Sequence, residues 1–110
     1  FKKYRYKRDK LNRAVILSEF GGYSYRVEGH VYSENNFGYK QFKSEEEFQK
    51  AFISLYENEV IPFKVKGLTA AVYTQLSDVE DELNGLLSYD REVIKISPEI
   101  VQEINQRLLS

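Results

Sequence analysis

Two short apolar runs on either side of a well-marked amphipathic helix restrict this chain more than any other feature. The first, Ala14-Val15-Ile16-Leu17-Ser18, has no helical or alternating period and stops at Gly21-Gly22. The second runs from Leu68 to Thr74 and reads Leu-Thr-Ala-Ala-Val-Tyr-Thr. Continuous apolar runs of this length are the pattern of strands buried on both faces. Between them, Ser44 with Glu47 three residues later has the spacing of a capping box, and Glu45 and Glu46 suit the positive end of a helix dipole. Phe48, Ala51, Phe52, Leu55 and Tyr56 then recur at helical spacing as one apolar stripe. Two buried strands joined through a helix are expected to lie side by side in parallel. The pattern is α/β.

The remaining segments are read the same way. Residues 23–43, rich in Tyr, Asn, Gly and Ser, are expected to form one long loop, a length usually tied to function. Pro62 is expected to end the helix or kink it into a last turn closed by Gly67. An acidic loop with Asp78, Glu80, Asp81 and Glu82 follows, then a short extended piece at Val93–Ile96. Ser97 is the expected cap of a final helix with Pro98 at its first position. Ile100, Val101, Ile104, Leu108 and Leu109 are its expected buried face. No repeat or linker divides residues 1–110, which read as a single partial domain.

Composition excludes several chemistries. Apolar residues are 42% and charged residues 30%, a globular balance. With no cysteine and one histidine, disulfides, zinc knuckles, cysteine nucleophiles and His-rich metal sites are ruled out, and a Ser-His-Asp triad is disfavoured. There is no membrane-length apolar run and no signal peptide, which points to a soluble, cytoplasmic protein. The absence of methionine and the start at Phe1 point to a mid-chain piece, a processed product or an expressed segment. Residues 1–13 hold seven Lys or Arg against Asp9 alone, a local +6, so the other 97 residues sum to −7. A basic end interleaved with Phe1, Tyr4 and Tyr6 resembles a nucleic-acid surface, but a real one would repeat its charge elsewhere. A solvated helix or frayed end is the favoured reading, and no nucleic-acid partner is expected.

Glu19 is the main chemical candidate. It follows the first buried run directly, and in parallel α/β sheets the carboxyl ends of the strands face the ligand. Gly21 and Gly22 allow a sharp turn beside it. An acid paired with a nearby Lys or Arg is the structural alternative, of equal weight on pattern alone.

Ile16-Leu17-Ser18-Glu19-Phe20-Gly21-Gly22-Tyr23 resembles the seventh barrel strand of glycoside hydrolase family 2, which holds β-galactosidases, β-glucuronidases and β-mannosidases. Gly67 through Asp78 resembles the eighth strand. Asn84-Gly85-Leu86-Leu87 with Tyr89-Asp90-Arg91 resembles the segment closing that domain, so the likeness covers most of residues 14–97. It implies that the chain supplies the last two β/α units of a (β/α)8 barrel. It implies that Glu19 is the nucleophile of a retaining β-glycosidase and forms a covalent glycosyl-enzyme. That chemistry requires a second carboxyl group about 5–5.5 Å away as acid/base. The family carries it on the fourth strand, which is absent here, so the chain by itself is expected to be inactive. No cofactor or metal is implied.

One departure stands out. Tyr73 occupies the place of a tryptophan that floors the sugar site in many members. A tyrosine can stack on a sugar face, so Tyr73 is a candidate substrate contact, and Gln75 and Asp78 are candidate hydroxyl partners by position. A loop cap and a solvated acid are their structural alternatives. Tyr23 and Tyr25 are candidates for an acceptor subsite, with packing as the alternative. His30 reads as a surface or packing residue, and the acidic run 78–82 lacks calcium-loop spacing. A non-catalytic carbohydrate-binding or interaction module is the competing functional class. Two β/α units leave strand edges unpaired, so self-association is expected, with a β-glycoside as substrate and no membrane partner.

Overall fold

The capped helix organises the rest. In the computed structural model, which describes residues 11–35 and 40–110, α1 runs Glu45–Leu55. Ser44 Oγ accepts from the Glu47 N–H at 3.2 Å. Glu47 reaches back to the Lys43 N–H at 3.3 Å, one residue before the usual capping-box target. The helical course does not stop at Pro62. A π-helical turn, Tyr56–Val60, leads straight into α2, Ile61–Lys66. A proline lacks the N–H and collides with the carbonyl four residues back, and a widened turn ahead of it lets the helix continue. Gly67, at φ 118°, closes it with its N–H on Lys64 O at 3.0 Å.

Four strands, β1 (Val15–Gly21), β2 (Tyr23–Tyr25), β3 (Lys40–Phe42) and β4 (Leu68–Thr74), form two separate two-stranded sheets among the described residues. β1 pairs with β4 in parallel, as the helical connection requires. The parallel β2–β3 pair corrects the expectation that residues 23–43 are loop throughout. Three-residue strands are too short to show a period; they form because their rings pack on α1 and on each other. Tyr23 meets Phe42 at 5.4 Å between centroids, and Tyr25 meets Phe48 at 6.0 Å.

The two long strands are not buried on both faces, as their sequences suggest. Ile16 is 57% exposed and Val72 54%. The helices cover one face of this pair, and on the other these apolar side chains meet water. On the covered face Phe20, Phe48, Phe52, Leu55, Tyr56 and Val60 form the core, joined by Ile96 and Ile104.

The final helix, α3, spans Pro98–Leu109. Ser97 makes no side-chain bond to the helix backbone; its hydroxyl donates to Glu99 instead, at 2.6 Å. Ile104 is buried, but Leu109 is 88% exposed. Five residues on from Ile104 is about 140° round the helix, which takes Leu109 off the packed face. Arg107 pairs with Glu57 at 2.9 Å and ties α3 to the π-helical turn. The expected extended piece at Val93–Ile96 is reduced to one antiparallel bridge, Leu87 with Ile94. Six of the seven basic residues of the N-terminal cluster lie outside the described residues. No helix among the described residues is long and apolar enough to cross a membrane.

Candidate functional site

Glu19 owes its position to a fault in the β1–β4 register. Leu17 pairs with Ala71, and Phe20 with Tyr73, so three steps along β1 match two along β4. The extra residue is a β-bulge, which re-aims side chains and is common beside active sites. It lets Leu17 and Phe20 both pack into the core although they are an odd number of residues apart. Ser18 and Glu19 are both left exposed. Among the described residues, no side chain or backbone group hydrogen-bonds or ion-pairs with the Glu19 carboxylate. The paired-acid alternative for Glu19 is not what this structure contains.

Directly behind Glu19, the strand end is clamped. Gly21 sits at φ 99°, and a Cβ there would fall 2.6 Å from the Tyr73 ring. The Gly22 N–H donates to Thr74 O at 3.0 Å, and the Thr74–Gln75 peptide is cis. Tyr73 packs edge-on against Phe20 at 5.4 Å and Phe52 at 5.1 Å, and its hydroxyl is buried without a partner. Burial raises the Tyr73 phenol well above its ordinary range, helped by Tyr56 and Tyr23. Burial also pushes Tyr56 up to about 12. Neither phenol can act as a base near neutral pH. Tyr73 is thus a ring of the aromatic core that braces the strand bearing Glu19.

The remaining candidates divide between packing and polar roles. Tyr23 is 7% exposed and Tyr25 half-buried, both in ring contacts under β2. Gln75, one residue past β4, donates from Nε2 to Asn84 at 2.6 Å and Glu82 at 3.2 Å. It stands at the same end of the parallel pair as Glu19, since Gly21 pairs with Thr74. Asp78 is not a solvated acid. Its side chain is 1% exposed and lies 2.6 Å from Lys95 Nζ, whose side chain is fully buried.

Asp78 and Lys95 organise the whole segment after β4. Asp78 Oδ1 also accepts from the Gly85 N–H at 2.9 Å, and Lys95 donates to Leu83 O at 3.1 Å. Desolvation raises the Asp78 carboxyl against the pull of Lys95 and Gly85, and desolvation lowers Lys95 against the pull of Asp78. In each group burial and pairing pull in opposite directions. Gly85 is required where two stretches of backbone meet, because a Cβ there would fall 2.2 Å from Asp78 N. Sequence reasoning misses Lys95, whose one signal is a single cation between Ile94 and Ile96.

Two further groups face each other across the loops. His30 Nδ1 lies 2.7 Å from Asp90 Oδ2, and Tyr32 meets Tyr89 edge-on at 5.2 Å. Among the described residues no group of three or more His, Cys, Asp or Glu side chains is arranged to hold a metal ion. Fold and site together define a mixed α/β chain with small parallel sheets and an unpartnered carboxylate at a bulged strand end. No family model and no curated protein sequence matches the chain.

Proposed function

We propose that this chain is the last two β/α units of a retaining β-glycosidase barrel, resembling glycoside hydrolase family 2, with Glu19 as nucleophile. The observation that supports this best is the bulge. It leaves Glu19 exposed near the carboxyl end of a parallel strand, with no partner for its carboxylate among the described residues, as an attacking group requires. In the reaction, a Glu19 oxygen bonds to the anomeric carbon as the leaving oxygen departs with a proton from the second carboxyl group. Water then releases the sugar with retained configuration. Gly21 and Tyr73 hold the strand end, and Gln75 stands beside it as a hydroxyl partner. Asp78 acts at one remove, by fixing the segment that carries Asn84, the partner of Gln75. The acid/base belongs to a strand outside this chain, so the chain alone is inactive.

The test uses the longer protein that carries these residues with the other barrel strands. Glu19→Gln lowers turnover of an aryl β-glycoside by several orders of magnitude, and a mechanism-based fluorosugar labels Glu19. Substantial activity in the Gln variant removes the nucleophile role. The same reading carries self-association of the 110-residue chain. Ile16 and Val72 face outward, and a two-stranded pair leaves edges that template further strands. Sedimentation at micromolar concentration decides this, and a compact monomer speaks against it.

A further inference from the structure

The loop after β2 and the turn after Leu87 are joined by two contacts that lie side by side in both segments. His30 meets Asp90, and Tyr32, two residues on, meets Tyr89, one residue back. The first segment follows β2 and the second belongs to the stretch between β4 and α3. Tyr32 is 53% exposed and Tyr89 40%. An edge-on pair covers at most one ring face, so aromatic faces remain open to water.

Beside them the imidazole is chemically fixed. Asp90 is lowered to about 2, first by the Ser88 hydroxyl, then by the Glu92 N–H, with His30 contributing. As an ionised carboxylate it only accepts hydrogen bonds. The hydrogen it shares with His30 therefore sits on Nδ1, which leaves Nε2 as the ring nitrogen not engaged by Asp90. Ser88 Oγ at 2.6 Å and the Glu92 N–H at 3.0 Å occupy the other carboxylate oxygen and hold the dyad in place.

We propose that Tyr32, Tyr89 and His30 form a saccharide subsite, in which a pyranose C–H face packs on a tyrosine ring and a sugar hydroxyl hydrogen-bonds to His30 Nε2. It rests on the glycosidase reading for its ligand class, and unlike Tyr23 and Tyr25, whose rings are engaged in packing, Tyr32 and Tyr89 are exposed. An amphipathic ring beside an imidazole nitrogen able to bond a hydroxyl suits a neutral sugar. An anion would face the Asp90 charge.

The experiment is a titration of the 110-residue chain with cellobiose, lactose and β-mannobiose, following the His30 imidazole and Tyr32 and Tyr89 ring resonances. At least one disaccharide shifts all three residues. Tyr32→Ala weakens that binding about three- to tenfold; Tyr32→Phe retains it, and His30→Ala weakens it. The readout is sugar binding and not turnover, so failure of the nucleophile role and failure of this subsite are told apart. No shift with any sugar, shifts centred on other residues, or a response to inorganic phosphate alone overturns the proposal.

Discussion

The helix-and-strand part of the molecule and the segment Gln75–Ser97 are held together in opposite ways. In the first, Phe20, Phe52, Tyr56 and Tyr73 pack ring on ring between the continuous helix and the β1–β4 pair. The second has no helix and no strand beyond isolated bridges. It wraps around one buried ion pair, with backbone groups of Leu83 and Gly85 as its remaining partners. Apolar packing is non-directional, so its losses grow with the volume removed. A buried ion pair is directional and desolvated, so its losses depend on whether the partner is left behind. The aromatic half carries the strand that presents Glu19, and the polar half begins at Gln75, where β4 ends beside that strand.

The largest effect should separate these two modes. Lys95→Ala leaves Asp78 buried and unpaired and costs about 3–5 kcal/mol, and Phe52→Ala costs a similar ~3–5 kcal/mol through the cavity it opens. The two differ in rescue. Replacing both members, Lys95→Met with Asp78→Leu, restores most of the loss, because desolvation already works against both charges. No second substitution of that kind repairs the Phe52 cavity. Urea unfolding of these variants beside the parent chain checks this, and a double variant as unstable as Lys95→Ala would break the distinction.

A smaller effect with the opposite sign tests the aromatic half. The Tyr73 hydroxyl is buried without a partner, so Tyr73→Phe removes an unmet desolvation cost and keeps the ring. Stability should rise by up to about 1 kcal/mol in thermal unfolding. A loss of stability would mean that the hydroxyl has a partner in solution. In the same variant of a longer protein that carries these residues, the proposed glycoside turnover should be nearly unchanged if Tyr73 acts through its ring contact with Gly21.

The smallest effect is in acid. Asp90 is held at about 2 against an ordinary 3.8, chiefly by Ser88. A carboxyl lowered in the fold contributes stability above its unfolded value and loses it as pH falls through the folded one. Between pH 3.8 and about 2, the wild-type chain should lose stability more steeply than Asp90→Asn. Equal slopes would show that the Ser88–Asp90–His30 cluster does not persist in solution.

Much of the frame is legible in the amino-acid sequence alone. Ser44, Glu47 and the stripe from Phe48 to Tyr56 encode a helix through local capping and periodicity, and both act within a few residues. The parallel pairing of the two apolar runs follows from their helical connection, but Glu19, read as following the first run, lies inside β1, which continues to Gly21. What depends on distant residues is hidden. The β2–β3 pair requires Phe48 of α1, and the half-exposure of β1 and β4 follows from helices covering one face. The bulge that frees Glu19 needs Phe20 and Tyr73 in register. Asp78 and Lys95 are 17 residues apart and His30 and Asp90 are 60 apart. No local pattern marks such pairs, because each charge becomes meaningful only when folding brings its counterpart within about 3 Å and removes the water between them.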